Sequence, residues 1–335
     1  MMLYYKLLYY IWLKKKIKKK KTFFLVGTPL HENIGDAAIA FAEQIFLKYC
    51  LPDNVNIIEI NQNQMIEYLD VLKLIIKPDS TILFHGGGNM GDEWIKEEID
   101  RRKVMNSFSK NRMIILPQTI YYKNKEKFDE SVNFYSQFKN LIIVAREKTS
   151  FEIIKKNYMN EILLTPDIVF FLKNKINPKL SKVRKGCLLC YRNDNEISMS
   201  KQVKDGIEIE LNKQGIDYSY TDMINQCQIM PNMREDIIYQ KLLEFSGARL
   251  VITDRLHGMI FCYLTNTPCL VFGNYNHKVF GTYEWIKDTN YIKFGEIKNL
   301  EKQILGLLNI KDYKQGEIIN SDVYNELEMR IIQKW

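Results

Sequence analysis

Residues 250–265 read LVITDRLHGMIFCYLT. Three apolar residues, 250–252, run into the turn TDRLHG, and an apolar stretch long enough for a helix follows to about Leu264. A buried strand that feeds straight into a helix is the unit from which parallel sheets are built, because parallel neighbours need a crossover and the crossover helix covers the sheet. The pattern repeats in both directions. Downstream come a strand at 269–272 and helices at 301–308 and 325–332. Upstream, strands at 187–191 and 217–220 alternate with helices at 201–213 and 234–245.

An earlier set begins at TFFLVGT, 22–28, with a helix at 36–49 whose Ala37, Ala38, Phe41, Ile45 and Phe46 recur at helical spacing. Strands at 55–60, 81–84, 113–116, 141–145 and 162–164 follow, with helices opening near Asp92 and after Lys148. Between the two sets, LKNKINPKLSKVRKG at 172–186 is basic and poor in large apolar residues, as a linker would be. The fold class is therefore α/β, with two facing Rossmann-like domains at 22–178 and 179–335 behind a separate tail at 1–21. A chain of 335 residues, 46% hydrophobic, is long enough for two cores. Such domains bind ligands at the carboxyl ends of their strands, so a cleft there is the expected site.

The formal charge of +8 points to nucleic acid until its position is considered. Eight of the 48 basic residues lie in MMLYYKLLYYIWLKKKIKKKK, 1–21, which has no acidic residue, and the other 40 balance 40 acidic residues. A protein that tracks phosphate backbones carries its basic stripe on the folded domain, so nucleic acid is not the expected partner. The tail is too short to span a bilayer and has the wrong charge order for a secretory signal. It reads as an interfacial helix, its aromatic and aliphatic residues in the headgroup region and its lysines on an anionic membrane surface, or else as a solvated, frayed terminus. Cys50, Cys187, Cys190, Cys227, Cys262 and Cys269 are scattered through apolar contexts, which suits a reducing cytoplasm. Cys187 and Cys190 form a CxxC, but the pair sits on a strand with no second pair to complete a zinc site, so both read as core. His31, His85, His257 and His277 are too dispersed to suggest a metal.

Three loops carry candidate chemistry. In His31-Glu32-Asn33-Ile34-Gly35-Asp36, a glycine and a helix start can bind an anion, or Asp36 can simply cap its helix. In His85-Gly86-Gly87-Gly88-Asn89-Met90-Gly91-Asp92, three glycines after a strand leave peptide groups bare for a phosphate or sugar oxygens. No Gly-x-Ser-x-Gly elbow accompanies it, which removes an esterase reading. In Asp254-Arg255-Leu256-His257, the arginine offers a planar fork for carboxylate or phosphate and the histidine a proton near neutral pH. Arg146 and Arg192 also follow strands, each either a second anion clamp or the partner of Glu147 or Asp194.

In order and spacing, Asn33-Ile34-Gly35-Asp36, Gly86-Gly87-Gly88-Asn89, Arg146-Glu147 with Ser150, Thr165-Pro166-Asp167, and Arg255-Leu256-His257 with the downstream Pro268 strand resemble the polysaccharide pyruvyl transferase family. The resemblance runs from about residue 22 to 281. It implies a GT-B-like architecture and phosphoenolpyruvate as donor substrate, with no cofactor and no metal. It also implies Arg255 and His257 as the donor site, and a second arginine at Arg146 or Arg192. The acceptor would be a sugar of a lipid-linked oligosaccharide or polysaccharide precursor on the inner face of the cell membrane, with Asp36 or Asp92 available to orient or deprotonate it. A nucleotide-sugar glycosyltransferase of the same fold, or a non-catalytic glycan or membrane adaptor, are the alternatives.

Overall fold

The computed structural model describes residues 2–17, 21–192, 199–312 and 321–333. Of the tail, residues 1 and 18–20 lie outside the described residues, as does Asp194. The chain forms two compact units, one taking the residues up to 30, 39–168 and those from 323 on, the other 31–38 and 169–322.

The first unit is built on seven strands: β1 Thr22–Thr28, β2 Asn56–Asn61, β3 Thr81–Phe84, β4 Gly87–Gly91, β5 Arg112–Tyr121, β6 Leu141–Ala145 and β7 Glu161–Leu164. Their order is β2-β1-β3-β5-β6-β7, every pairing is parallel, and β4 lies beside β5. Central strands such as β3 and β6 are buried along their whole length, which explains their unbroken apolar runs. β5 serves two neighbours in turn. Its first half pairs with β3 and its second half with β4. The change falls at Pro117, which has no N–H to donate, and the register with β6 shifts there between Ile115 and Gln118.

The second unit holds β8 Lys185–Cys190, β9 Tyr218–Thr221, β10 Ala248–Thr253, β11 Cys269–Val271 and β12 Ile292–Phe294, in the order β12-β11-β10-β8-β9, again all parallel. Cys187 and Cys190 are buried in β8, and burial pushes the Cys190 thiol up to about 12.

The division of the chain differs from the expected 22–178 and 179–335. The helix Asn325–Ile332 belongs to the first unit, where Tyr324 donates to the Asp167 carbonyl at 2.8 Å, its ring lies 5.7 Å from that of Phe46, and Arg330 pairs with Glu161. The segment expected to be a linker starts inside the second unit. Lys173 runs along its surface and donates to the carbonyls of Tyr263 and Leu264 at 2.8 and 3.1 Å and to Asn266 Oδ1 at 2.7 Å. Those carbonyls lie in the last turn of the helix Leu256–Thr265, where intrahelical donors run out and which Asn266 terminates with φ 53°. Polarity of a segment does not make it a linker when its charge caps a helix. Burial lowers the Lys173 ammonium to about 8.

The tail is likewise not separate. Met2–Ile17 forms α1, apolar on all sides, and its inner stripe of Tyr9, Tyr10, Leu13 and Ile17 joins the core of the first unit. Tyr9 stacks on Tyr68 at 4.4 Å, and Lys6 pairs with Asp70 at 2.8 Å. Leu3, Tyr4, Leu7, Leu8 and Ile11 remain bare on the other side. No described helix is long and apolar enough to cross a membrane. Because Leu13 is fully buried, Leu13→Ala should lower the stability of the first unit by about 2–4 kcal/mol in urea unfolding, whereas a frayed tail would register no change.

Candidate active site

In the second unit the turn after β10 is organised by its own side chains. Thr253 Oγ1 donates to the Cys190 carbonyl at 2.7 Å and accepts the Arg255 amide at 3.0 Å, so the ends of β10 and β8 are stitched together just where the chain enters the helix Leu256–Thr265. Asp254, fully buried, accepts the Arg192 amide at 2.8 Å. Burial raises its carboxyl, and the Arg192 amide and the nearby cations Arg255, Lys204 and Arg192 oppose that rise. Arg255 donates through Nε and Nη2 to the two oxygens of Asp222, at 2.7 and 2.8 Å, a two-point grip that fixes the plane of the guanidinium.

Asp222 follows β9 and opens a short loop that binds the segment 31–38. Met223 accepts the Ile34 amide at 2.8 Å, Glu32 accepts the Asn225 amide at 2.7 Å, and Asn33 and Ile224 form an antiparallel bridge. That segment brings Gly35 onto the imidazole of His257. A methyl group on Gly35 would lie 2.2 Å from Nδ1, so only glycine allows the approach. Arg255, Asp222, the loop 222–225, the segment 31–38 and His257 thus form one closed circuit. Asn33, Gly35 and Asp36, distant in sequence, are brought to Arg255 and His257 by it.

The role of this first loop changes accordingly. α2, Ile34–Cys50, starts two residues before the expected Asp36 because Asn33 Oδ1 accepts the amides of Gly35 and Asp36, at 2.8 and 3.3 Å. Those amides are satisfied within the loop, and the cap is Asn33. The Asp36 carboxylate lies 3.6 Å from His31 Nε2.

In the first unit β3 ends at Phe84, and the chain turns at His85-Gly86 to re-enter the sheet as β4. Glu43, on α2 and fully buried, fixes that turn: Oε1 accepts the Gly86 amide at 2.8 Å and Oε2 lies 2.7 Å from His85 Nδ1. Gly86 is pressed so close to β5 that a Cβ would stand 2.5 Å from the Pro117 carbonyl. Only Gly88 of the three glycines is exposed, and a methyl there would meet Arg146 Nη2 at 3.1 Å. Arg146 is buried and held by Thr119 Oγ1 at 2.8 Å and Asp167 at 2.7 Å. Its carboxylate partner is therefore the aspartate of Thr165-Pro166-Asp167. Glu147 instead caps the next helix through the Ser150 amide, and Ser150 Oγ accepts the Ile120 amide. Asn89 is tied to Glu97, Arg101 and Gln118. Asp92 accepts the amides of Lys123 and Asn124 and holds the turn after β5. Among the described residues no group of three or more histidine, cysteine, aspartate or glutamate residues is arranged to hold a metal ion.

The family model for polysaccharide pyruvyl transferases matches residues 33–277. This chain belongs to that family. General stress protein 30 of Bacillus subtilis is 35% identical to it over 87% of each chain. Pyruvyl transferase 1 of Schizosaccharomyces pombe is 30% identical over 75% of this chain and 65% of that protein. The fold is shared with a UDP-GlcNAc 2-epimerase of Methanocaldococcus jannaschii, at a TM-score of 0.50 and 14% identity, covering 94% of this chain and all of that one. The architecture of this pyruvyl transferase family member is accordingly GT-B-like, with two parallel-sheet domains.

Four acidic residues of this polysaccharide pyruvyl transferase family member had no role assigned from sequence: Glu43 and Asp222, which no motif includes, and Asp167 and Asp254, which stand in the motifs Thr165-Pro166-Asp167 and Asp254-Arg255-Leu256-His257. Each anchors a group that was assigned one, namely the glycine turn, Arg146, Arg255 and the Arg192 amide. Asp222 and Asp254 share a signal, an aspartate directly after a strand ending in threonine; Glu43 lies mid-helix and carries none. Gly35→Ala should cost pyruvyl transfer about 100-fold or more by displacing His257, with the urea transition of the first unit unchanged. Glu43→Ala, which strands the Gly86 amide and the His85 ring, should destabilise the first unit by about 2–3 kcal/mol, read in the same urea experiment.

Proposed function

We propose that the protein transfers the enolpyruvyl carbons of phosphoenolpyruvate to a sugar of a lipid-linked glycan precursor, forming a pyruvate ketal. The observation that supports this reading best is the circuit in the second unit. It presents an arginine fork pre-set by Asp222 and an imidazole pressed on Gly35, side by side at the carboxyl end of β10. A donor that carries both a phosphate and a carboxylate calls for such a cation, and its methylene carbon calls for a proton.

In this scheme His257 delivers a proton to the methylene carbon, which becomes the methyl group. Positive character develops at the adjacent carbon. Arg255 stabilises the phosphate as the bond between that carbon and the bridging oxygen breaks and the oxygen leaves with the phosphate, with Arg146 or Arg192 as the second clamp. One sugar hydroxyl adds to that carbon, a second closes the ring, and the two hydroxyl protons balance the one gained by the methyl group and the one carried off by phosphate. Within the first unit Arg146 lies against the exposed Gly88, so a sugar or phosphate held at the glycine turn would meet its guanidinium. Asp36 and Asp92 are less suited to the acceptor: Asp92 is engaged by two backbone amides and Asp36 lies beside His31.

The acceptor follows from the bare apolar side of α1 and its lysines Lys14, Lys15 and Lys16, which suit the inner face of a membrane where a lipid-linked glycan is held. The test is release of inorganic phosphate from phosphoenolpyruvate, with and without lipid-linked glycan extract. Acceptor-dependent release should be lost in His257→Ala and fall by about 100-fold or more in Arg255→Lys, which cannot reproduce the planar grip. Turnover of a nucleotide sugar, with none of phosphoenolpyruvate, would overturn the proposal in favour of glycosyl transfer.

A further inference from the structure

The charge that looks balanced in the body of the chain is not balanced in space. At the amino edge of the first sheet, a recess of about 940 Å³ is lined by Ile17 at the end of α1 and by Lys21, Lys77, Lys110, Arg112 and Lys139. These cations come from four separate places along the sequence, at or shortly before the starts of β1, β3, β5 and β6, so no run or motif announces them. Arg112 lies in the floor, donating to the Arg330 and Ile331 carbonyls. Lys77, Lys110 and Lys139 are exposed, and none has an acidic partner among the described residues. Some other exposed lysines of the protein do: Lys96 with Asp100, Lys125 with Asp129, Lys213 with Glu301, Lys287 with Glu284; what sets the three apart is that they share one recess. The recess also contains Asp79 and Glu161, and Glu161 is neutralised by Arg330.

The recess adjoins the helix with the bare apolar side. Leu3 is 83% exposed, Leu7 55% and Ile11 42%, an unusual density for one 16-residue helix whose opposite stripe is already in the core. Lys14 and Lys16 lie over the rings of Tyr10 and Trp12, at 4.7 and 4.6 Å, so that cation and aromatic alternate toward the recess.

We infer that the amino edge of this sheet and the bare side of α1 form one membrane-contact surface, in which phosphate headgroups of anionic lipids occupy the lysine-lined recess while the α1 side chains enter the acyl boundary. Apolar side chains without neighbouring cations would fit a second protein copy equally well; three unpartnered lysines and the lysines of α1 fit a surface that is both apolar and anionic, which a bilayer is. Lys139 and Arg146 stand at opposite ends of β6, roughly 20 Å apart at about 3.3 Å per residue, so the surface is separate from the groups assigned to chemistry. The inference rests on the membrane reading of α1 and extends it from a tail to a face of the folded unit.

The experiment uses the full chain and two sets of vesicles, phosphatidylcholine alone and phosphatidylcholine with about one-third phosphatidylglycerol. The triple variant Lys77→Glu, Lys110→Glu, Lys139→Glu should lose about tenfold or more of its partition onto the anionic vesicles. It should keep its partition onto neutral ones, its melting temperature and its phosphate release with a soluble acceptor. The triple variant Leu3→Ser, Leu7→Ser, Ile11→Ser should lose partition onto both. A lysine variant with wild-type preference for anionic vesicles sinks the recess while leaving the α1 reading intact. If the helix variant partitions normally and only the lysine variant fails, the recess is supported without the helix, and the single composite surface is overturned. Stabilisation by inorganic pyrophosphate that the lysine variant loses, with vesicle partition unchanged, also overturns it and assigns the recess to a free anion.

Discussion

Parallel strands buried on both faces leave a chain only two places for loops, the carboxyl and the amino edge of each sheet. The crossover helices occupy the faces, and the backbone amides of the inner strands are committed to the ladder. Polar work is therefore confined to the edges. Here the carboxyl edges carry the glycine turn, Arg146, Arg192, Arg255 and His257, and the amino edge of the first sheet collects the unpartnered lysines. One constraint on backbone hydrogen bonding sorts the chemistry-bearing residues into two groups that scarcely mix.

Within the carboxyl edges, acidic residues act chiefly as fixtures. Asp222 holds the plane of Arg255 and Asp167 a nitrogen of Arg146, and Glu43 holds a backbone turn rather than a side chain fork. A buried guanidinium without such a partner would carry a large desolvation cost, and a flexible one would lose entropy on binding its ligand. Pairing each arginine with a carboxylate in advance addresses both. It also means that any anion binding there would meet groups whose charge is already partly compensated, so its binding would depend on orientation as much as on net charge.

The fold was largely legible because apolar runs of strand length and helical periodicity are local properties: the strands from 22–28 to 269–272 appear in the structure at or near their expected positions. What sequence could not reveal depends on contacts between distant residues. The boundary was misplaced because Lys173 in a polar stretch caps a helix 90 residues away, and because the last helix returns to the first unit. The start of α2 was shifted by a cap that Asn33, rather than Asp36, provides. Arg255 and His257 were visible as a pair on a strand-to-helix turn. The carboxylates that orient their surroundings were not, because a glutamate in mid-helix or an aspartate after a strand looks like any solvated residue until its partner is known. Spatial charge separation was similarly hidden, since the amino-edge lysines are spread from Lys21 to Lys139.

The helix Leu256–Thr265 is fastened at both ends. At its start, Thr253 and Asp254 stitch the turn to β8, and at its close Lys173 gathers two terminal carbonyls and the Asn266 side chain. A rod of ten residues, about 15 Å long, clamped in this way cannot slide or rotate about its axis without breaking one of the clamps. His257 rides on its first turn. The imidazole is thereby aimed by a lysine that lies a full helix length behind it, and the aim is a property of the whole rod and not of the turn alone.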